Sequence, residues 1–121
     1  MKRIAIVEDS ADNRMLLFAI LEGRYLLDEY VGGVEALTGM RATPADLVLL
    51  DISLPGMDGM EVLREIRTDP RLLGLPVIAL TAHAMNGDRE RFLAQGFDGY
   101  VAKPIVDEAV LVDAIEAHLH G

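Results

Sequence analysis

Four short apolar runs punctuate the chain, and each stops at a polar residue. Ile4-Ala5-Ile6-Val7 ends at Glu8-Asp9, Leu47-Val48-Leu49-Leu50 at Asp51, Val77-Ile78-Ala79-Leu80 at Thr81, and Gly99-Tyr100-Val101-Ala102 at Lys103. The unalternating Leu47–Leu50 run predicts a strand buried on both faces, as in a parallel sheet; the Val77–Leu80 run is likewise a buried strand, and the runs at 4–7 and 99–102 are short strands. A weaker strand is expected over residues 25–31, where Asp28 and Glu29 place it at a sheet edge. Helical spacing fills the gaps. Ser10, Asp12 and Asn13 are helix-starting residues, followed by Leu16, Leu17, Ile20 and Leu21, with Gly23 as the close. After a Gly32-Gly33 loop, Val34, Leu37 and Met40 mark a second helix, stopped at Thr43-Pro44. Met60, Val62, Leu63 and Ile66 mark a third, ended by Asp69-Pro70. A polar helix over 86–95 is anchored by Phe92 and Leu93 and capped by Gly96, and the last, over 107–119, aligns Leu111, Val112, Ile115 and Leu119.

Strands and helices in strict alternation, five of each, define an α/β chain with a parallel sheet and helices on both faces. At 121 residues this is one expected domain, 1–121, with no repeat or interdomain linker. The absence of cysteine excludes disulfides and thiolate metal sites and fits a reducing compartment. A net charge of −9, with Lys2 and Lys103 the only lysines, argues against a nucleic-acid surface. No apolar stretch approaches the roughly 20 residues of a membrane helix, and no signal peptide fits the start. No membrane and a cytoplasmic location are the expectation.

The carboxyl ends of parallel strands share one edge, where open α/β sheets bind ligands. Glu8, Asp9, Asp51, Thr81 and Lys103 are therefore expected to converge. Crowded carboxylates raise one another's pKa unless a cation is present, and an oxygen-only donor set suits Mg²⁺. A hydroxyl and an ammonium beside Asp51 suit a phosphoryl group, which makes Asp51 a candidate nucleophile for an aspartyl phosphate. Each residue alone has a plainer role: acids at a helix start, a turn residue before Pro55-Gly56, a strand terminus, a solvated lysine. Lys103-Pro104 is a candidate cis bond, although most such bonds are trans. The combination at one edge is what points to chemistry.

Glu8-Asp9, Asp51 with Leu54-Pro55-Gly56-Met57-Asp58-Gly59, Thr81-Ala82 and Lys103-Pro104 stand in an order and spacing that resembles the receiver domain of two-component response regulators, the CheY-like superfamily. The stretch from Thr81 to Asp88 further resembles stand-alone cell-cycle (DivK-like) receivers and receivers fused to hybrid histidine kinases. The resemblance implies a flavodoxin-like fold with sheet order 2-1-3-4-5. It implies that Asp51 accepts a phosphoryl group from a histidine kinase or histidine phosphotransfer protein. Glu8, Asp9, Asp51 and the backbone carbonyl of Ser53 would bind Mg²⁺. Thr81 would hydrogen-bond the phosphoryl oxygen, Lys103 would pair with it, and Tyr100 would be the switch aromatic. A downstream partner would dock on the fourth helix, last strand and last helix, on a monomer or weak dimer. Ser53 and His83 occupy positions that vary in the family and tune phosphoryl lifetime. Such a chain is not an enzyme beyond its own phosphorylation and dephosphorylation. A haloacid-dehalogenase type of phosphatase would need a second Asp two residues after Asp51, where Ser53 stands. A degenerate receiver would lack the acid set, and a flavin module rests on fold analogy alone.

Overall fold

The computed structural model describes residues 1–82 and 88–119. His83 and the expected start of the fourth helix at Asn86 lie outside them. The elements are β1 (Arg3–Val7), α1 (Ala11–Leu21), β2 (Leu26–Tyr30), α2 (Gly33–Ala42), β3 (Leu47–Asp51), α3 (Gly59–Thr68), β4 (Val77–Thr81), α4 (Asp88–Gln95), β5 (Gly99–Ala102) and α5 (Glu108–His118). The strands form one sheet in the order β2-β1-β3-β4-β5, and every pairing is parallel. This is the expected flavodoxin-like arrangement.

Side chains alternate across a strand, so each buried strand feeds two cores. Ile4, Ile6, Leu47, Leu49, Ile78, Leu80 and Val101 pack against Leu17 and Leu21 of α1 and Leu111 and Ile115 of α5. Ala5, Val7, Val48, Leu50, Val77 and Ala79 face the other way, onto α2, α3 and Phe92 of α4. β3 and β4 are buried at all five positions, which is why their sequences show no alternation. β2 and β5 are the edge strands, and Asp28 of β2 is held by a two-pronged hydrogen bond from Arg3 at 2.9 Å.

Ser10 caps α1 as a helix-starting residue should, and α3 and α5 gain caps that sequence reasoning did not name. Ser10, Asp58 and Asp107 each accept a backbone N–H at the start of α1, α3 and α5. Several details differ. Gly33 opens α2 instead of extending the loop, because the extended Gly32 already offers its carbonyl to the Ala36 N–H. In α1, Leu17 and Leu21 lie one turn apart and are buried, while Met15, Leu16 and Phe18 are exposed by 69, 40 and 40%. Val34 and Leu93 are likewise exposed, so α2 is anchored through Ala36, Leu37 and Met40, and α4 through Phe92. A stripe about 100° wide is all that a helix lying on a sheet can bury.

Candidate functional site

Strand alternation explains how the acids meet. Glu8 continues the line of Ile4 and Ile6, Asp51 that of Leu47 and Leu49, and Lys103 that of Val101. All three leave the sheet on the α1/α5 side, where the apolar core gives way to charge. The Lys103 ammonium lies between the acids, donating to Glu8 Oε1 at 3.0 Å and standing 3.2 Å from Asp51 Oδ2. Glu8 is fully buried and Asp51 is 2% exposed. Asp9 is exposed, and one oxygen of each of Glu8, Asp9 and Asp51 lies within 4.8 Å of the others. Three hard oxygen donors on a cluster open to water on the Asp9 side fit a divalent cation that keeps part of its hydration shell.

The electrostatics follow from burial. Desolvation raises the pKa of Glu8, and the hydrogen bond and charge of Asp51 raise it further against the pull of Lys103 and the Ser10 N–H. Burial also opposes ionisation of Asp51, but Glu8, the Ser53 N–H and Lys103 outweigh it and hold Asp51 below the usual carboxylate range. Burial likewise disfavours the charged form of Lys103, and the two acids reverse that, so its pKa is raised. Within the Glu8–Asp51 pair the surroundings thus favour the protonated form of Glu8 and the ionised form of Asp51.

The loop after Asp51 is fixed by backbone. The Ser53 N–H donates to Asp51 Oδ1 at 2.9 Å, and the Gly59 N–H to the Ile52 carbonyl at 3.1 Å. Gly56 has φ +73, a conformation side chains rarely adopt. At Gly59 a Cβ would stand 2.6 Å from both the Asp51 carbonyl oxygen and Ile52 Cα, so only glycine lets α3 start this close to the end of β3.

Thr81 ends β4 at 4% exposure, beside Asp51 in the register that pairs Asp51 with Leu80. It follows Val77 and Ala79 in the alternation, and so belongs to the face opposite Glu8 and Lys103. The Thr81 carbonyl accepts from the Lys103 N–H at 2.7 Å, which ties the ends of β4 and β5 together, and the Lys103-Pro104 bond is cis. Tyr100 is half-buried, its ring 5.8 Å from that of Phe92 on α4. Two residues escaped sequence reasoning. Asn13 Nδ2 donates to Glu8 Oε1 at 3.2 Å, and Arg14 donates to the carbonyls of Glu8 and Asp9 at 2.8 and 3.0 Å. Asn13 was legible only as a helix starter, and Arg14 carried no signal, because its reach depends on the turn joining β1 to α1.

A family model described as the response regulator receiver domain matches residues 4–116. The polar-differentiation response regulator DivK of Brucella ovis is 41% identical over 105 residues, covering 86% of this chain and 85% of that protein. The receiver domain of a Pseudomonas aeruginosa sensor histidine kinase, solved with a magnesium ion coordinated in the active site cleft, is 34% identical with a TM-score of 0.87, covering 98% of this chain and 97% of that one. The chemotaxis protein CheY4 of Vibrio cholerae matches at a TM-score of 0.89 and 23% identity over 98% of this chain and 99% of its own, a likeness of fold alone. The chain belongs to the response regulator receiver domain family. It is a receiver of two-component signalling, similar to the DivK proteins, and not an enzyme of the ordinary kind. Among the described residues no helix is long and apolar enough to cross a membrane.

Proposed function

We propose that Asp51 is the phospho-acceptor of a one-domain receiver spanning residues 1–121. The observation that carries this reading is the placement of Asp51 against the half-buried Lys103 ammonium and beside two further acids. A partner's phosphohistidine, on a histidine kinase or a histidine phosphotransfer protein, presents its phosphorus to an Asp51 carboxylate oxygen. The new P–O bond forms as the P–N bond breaks. Glu8, Asp9, Asp51 and the Ser53 carbonyl would hold Mg²⁺, which supplies charge neutralisation for the phosphoryl oxygens when bound. Lys103 then exchanges its contact with Glu8 for the phosphoryl group, which brings nearly two negative charges to the site. The Thr81 hydroxyl donates to the same group, and Tyr100 follows as the switch.

Such a switch works only if the phosphoryl group interacts differently with two arrangements of the β4–α4 region. α4 suits that role because it is anchored through Phe92, which itself touches Tyr100. A downstream protein would read the change on the α4-β5-α5 face of a monomer or weak dimer in the cytoplasm. Return to the resting state is hydrolysis of the acyl phosphate at the same site. Treating the protein with acetyl phosphate and following intact mass tests the reading. One added phosphoryl group is expected on the wild type with Mg²⁺, and none after chelation or in Asp51→Asn. An adduct that persists in D51N would overturn it.

A further inference from the structure

The first turn of α1 also braces the acid pair. Arg14 Nη1 donates to two successive carbonyls, Glu8 at 2.8 Å and Asp9 at 3.0 Å. Successive carbonyls of an extended strand point to opposite sides, so two that converge on one nitrogen mark a turned backbone. The conformation of that turn decides where the Glu8 and Asp9 side chains leave the chain. Before it, the Glu8 N–H is fixed to the Tyr30 carbonyl at 3.0 Å; after it, the Ser10 N–H meets Glu8 Oε2 at 3.3 Å. Arg14 closes the remaining freedom, because its own N–H is bonded to the Ser10 carbonyl as α1 begins. Asn13 completes the bracket from the adjacent position by holding Glu8 Oε1.

We propose that Arg14 is a positioning residue for the Glu8-Asp9 pair, setting cation affinity through the backbone and not through its own charge. This rests on the proposed cation site. Charge and geometry predict opposite signs here. A guanidinium beside a cation site repels the ion, so on charge alone its removal would tighten binding. As a brace its removal loosens binding, and losing a partner of this kind typically costs roughly tenfold in metal affinity. Lysine keeps the charge but offers a point donor in place of the planar fork.

The test is calorimetric titration of MgCl₂ into wild type, Arg14→Met and Arg14→Lys, with circular dichroism to establish that each is folded. Amide shifts of Glu8 and Asp9 by NMR serve as a second readout. R14M is expected to bind Mg²⁺ about tenfold more weakly, with R14K between it and wild type. Phosphorylation by acetyl phosphate should recover toward the wild-type rate at saturating Mg²⁺. R14M binding as tightly as wild type, or more tightly, overturns the inference. Should R14M not fold, R14K decides: its charge is unchanged, so weaker binding supports the brace and wild-type binding refutes it. A wild type that neither takes up heat nor shifts its amides with Mg²⁺ removes the cation site itself, and the inference falls with it.

Discussion

Replacing Lys103 by methionine removes an ammonium that touches both Glu8 and Asp51, and the cost can be worked from the geometry. At 3.0 and 3.2 Å each contact is worth about 5 kcal/mol at an effective dielectric near 20, before desolvation is subtracted. Breaking a buried pair by removing one partner costs about 3–5 kcal/mol. K103M has one escape, which is to protonate Glu8. From an ordinary glutamic acid pKa near 4.3, that costs about 5 kcal/mol at pH 8 but only about 1 kcal/mol at pH 5. At pH 8 the escape is no cheaper than the broken pair, so the loss should be about 3–4 kcal/mol; at pH 5 it should fall to about 1 kcal/mol.

The sign follows from linkage. Lys103 has a raised pKa, so its contribution is fully present below the unfolded lysine value, and between pH 5 and 8 it is charged throughout. Glu8 is an acid whose folded pKa is raised, so the native state holds the extra proton and stability falls as pH rises through that value. Without Lys103 that pKa climbs further and the fall extends to higher pH. Urea denaturation followed by circular dichroism, near pH 5 and near pH 8, reads both numbers. Saturating Mg²⁺ should restore most of the loss at the higher pH, since a bound cation replaces the ammonium. A loss that is the same at both pH values, or below about 1 kcal/mol at the higher one, would refute the reasoning.

Gly59→Ala should destabilise the fold by about 1–3 kcal/mol and slow phosphorylation, because the new methyl meets backbone atoms at the end of β3 that cannot yield; denaturant midpoints and acetyl phosphate kinetics check both. Tyr25 donates to Glu116 from a buried position, and burial followed by that carboxylate pushes its pKa up to about 12. Tyr25→Phe should lose about 1 kcal/mol near neutrality, since Glu116 is left exposed and hydrated. Near-ultraviolet absorbance titration should lose the step at about 12 in that variant. The wild type's stability should fall as pH climbs from the ordinary tyrosine value toward that step, and the variant should lose less over the same range, keeping only the part due to Tyr30, whose pKa is also raised. Mg²⁺ affinity should fall as pH drops through the raised pKa of Glu8, because the proton and the cation compete for one carboxylate; calorimetry at two pH values reads it, and a pH-independent affinity would exclude Glu8 from the site.

Much of this was legible because burial on both faces erases alternation. The runs ending at Glu8, Asp51 and Thr81 gave strands and sheet type at once, and the shorter run ending at Lys103 completed the shared edge although β5 is only partly buried. The outward side of each helix was harder to read. Leu16 and Leu93 look like core residues by type, yet each sits about 100° round the helix from the residue that packs, Leu17 or Phe92. Which of two adjacent apolar residues turns inward depends on the phase set by the cap, and a one-residue change in that phase exchanges them. The site was legible as a list of acids but not as a circuit. That Lys103 bridges Glu8 and Asp51, and that Arg14 clasps the Glu8-Asp9 backbone, follow from the turn after β1 and the chain path after β5.

The identity of the phosphorylated residue is the most direct test of the central claim. Phosphorylating the protein with acetyl phosphate and Mg²⁺, reducing the acyl phosphate with borohydride and sequencing the peptides by mass spectrometry would locate it. The expected result is reductive conversion at Asp51 alone, with Glu8, Asp9 and Asp58 unmodified. Conversion at any of those three instead, or none at Asp51 in protein that carries the added mass, would contradict the account.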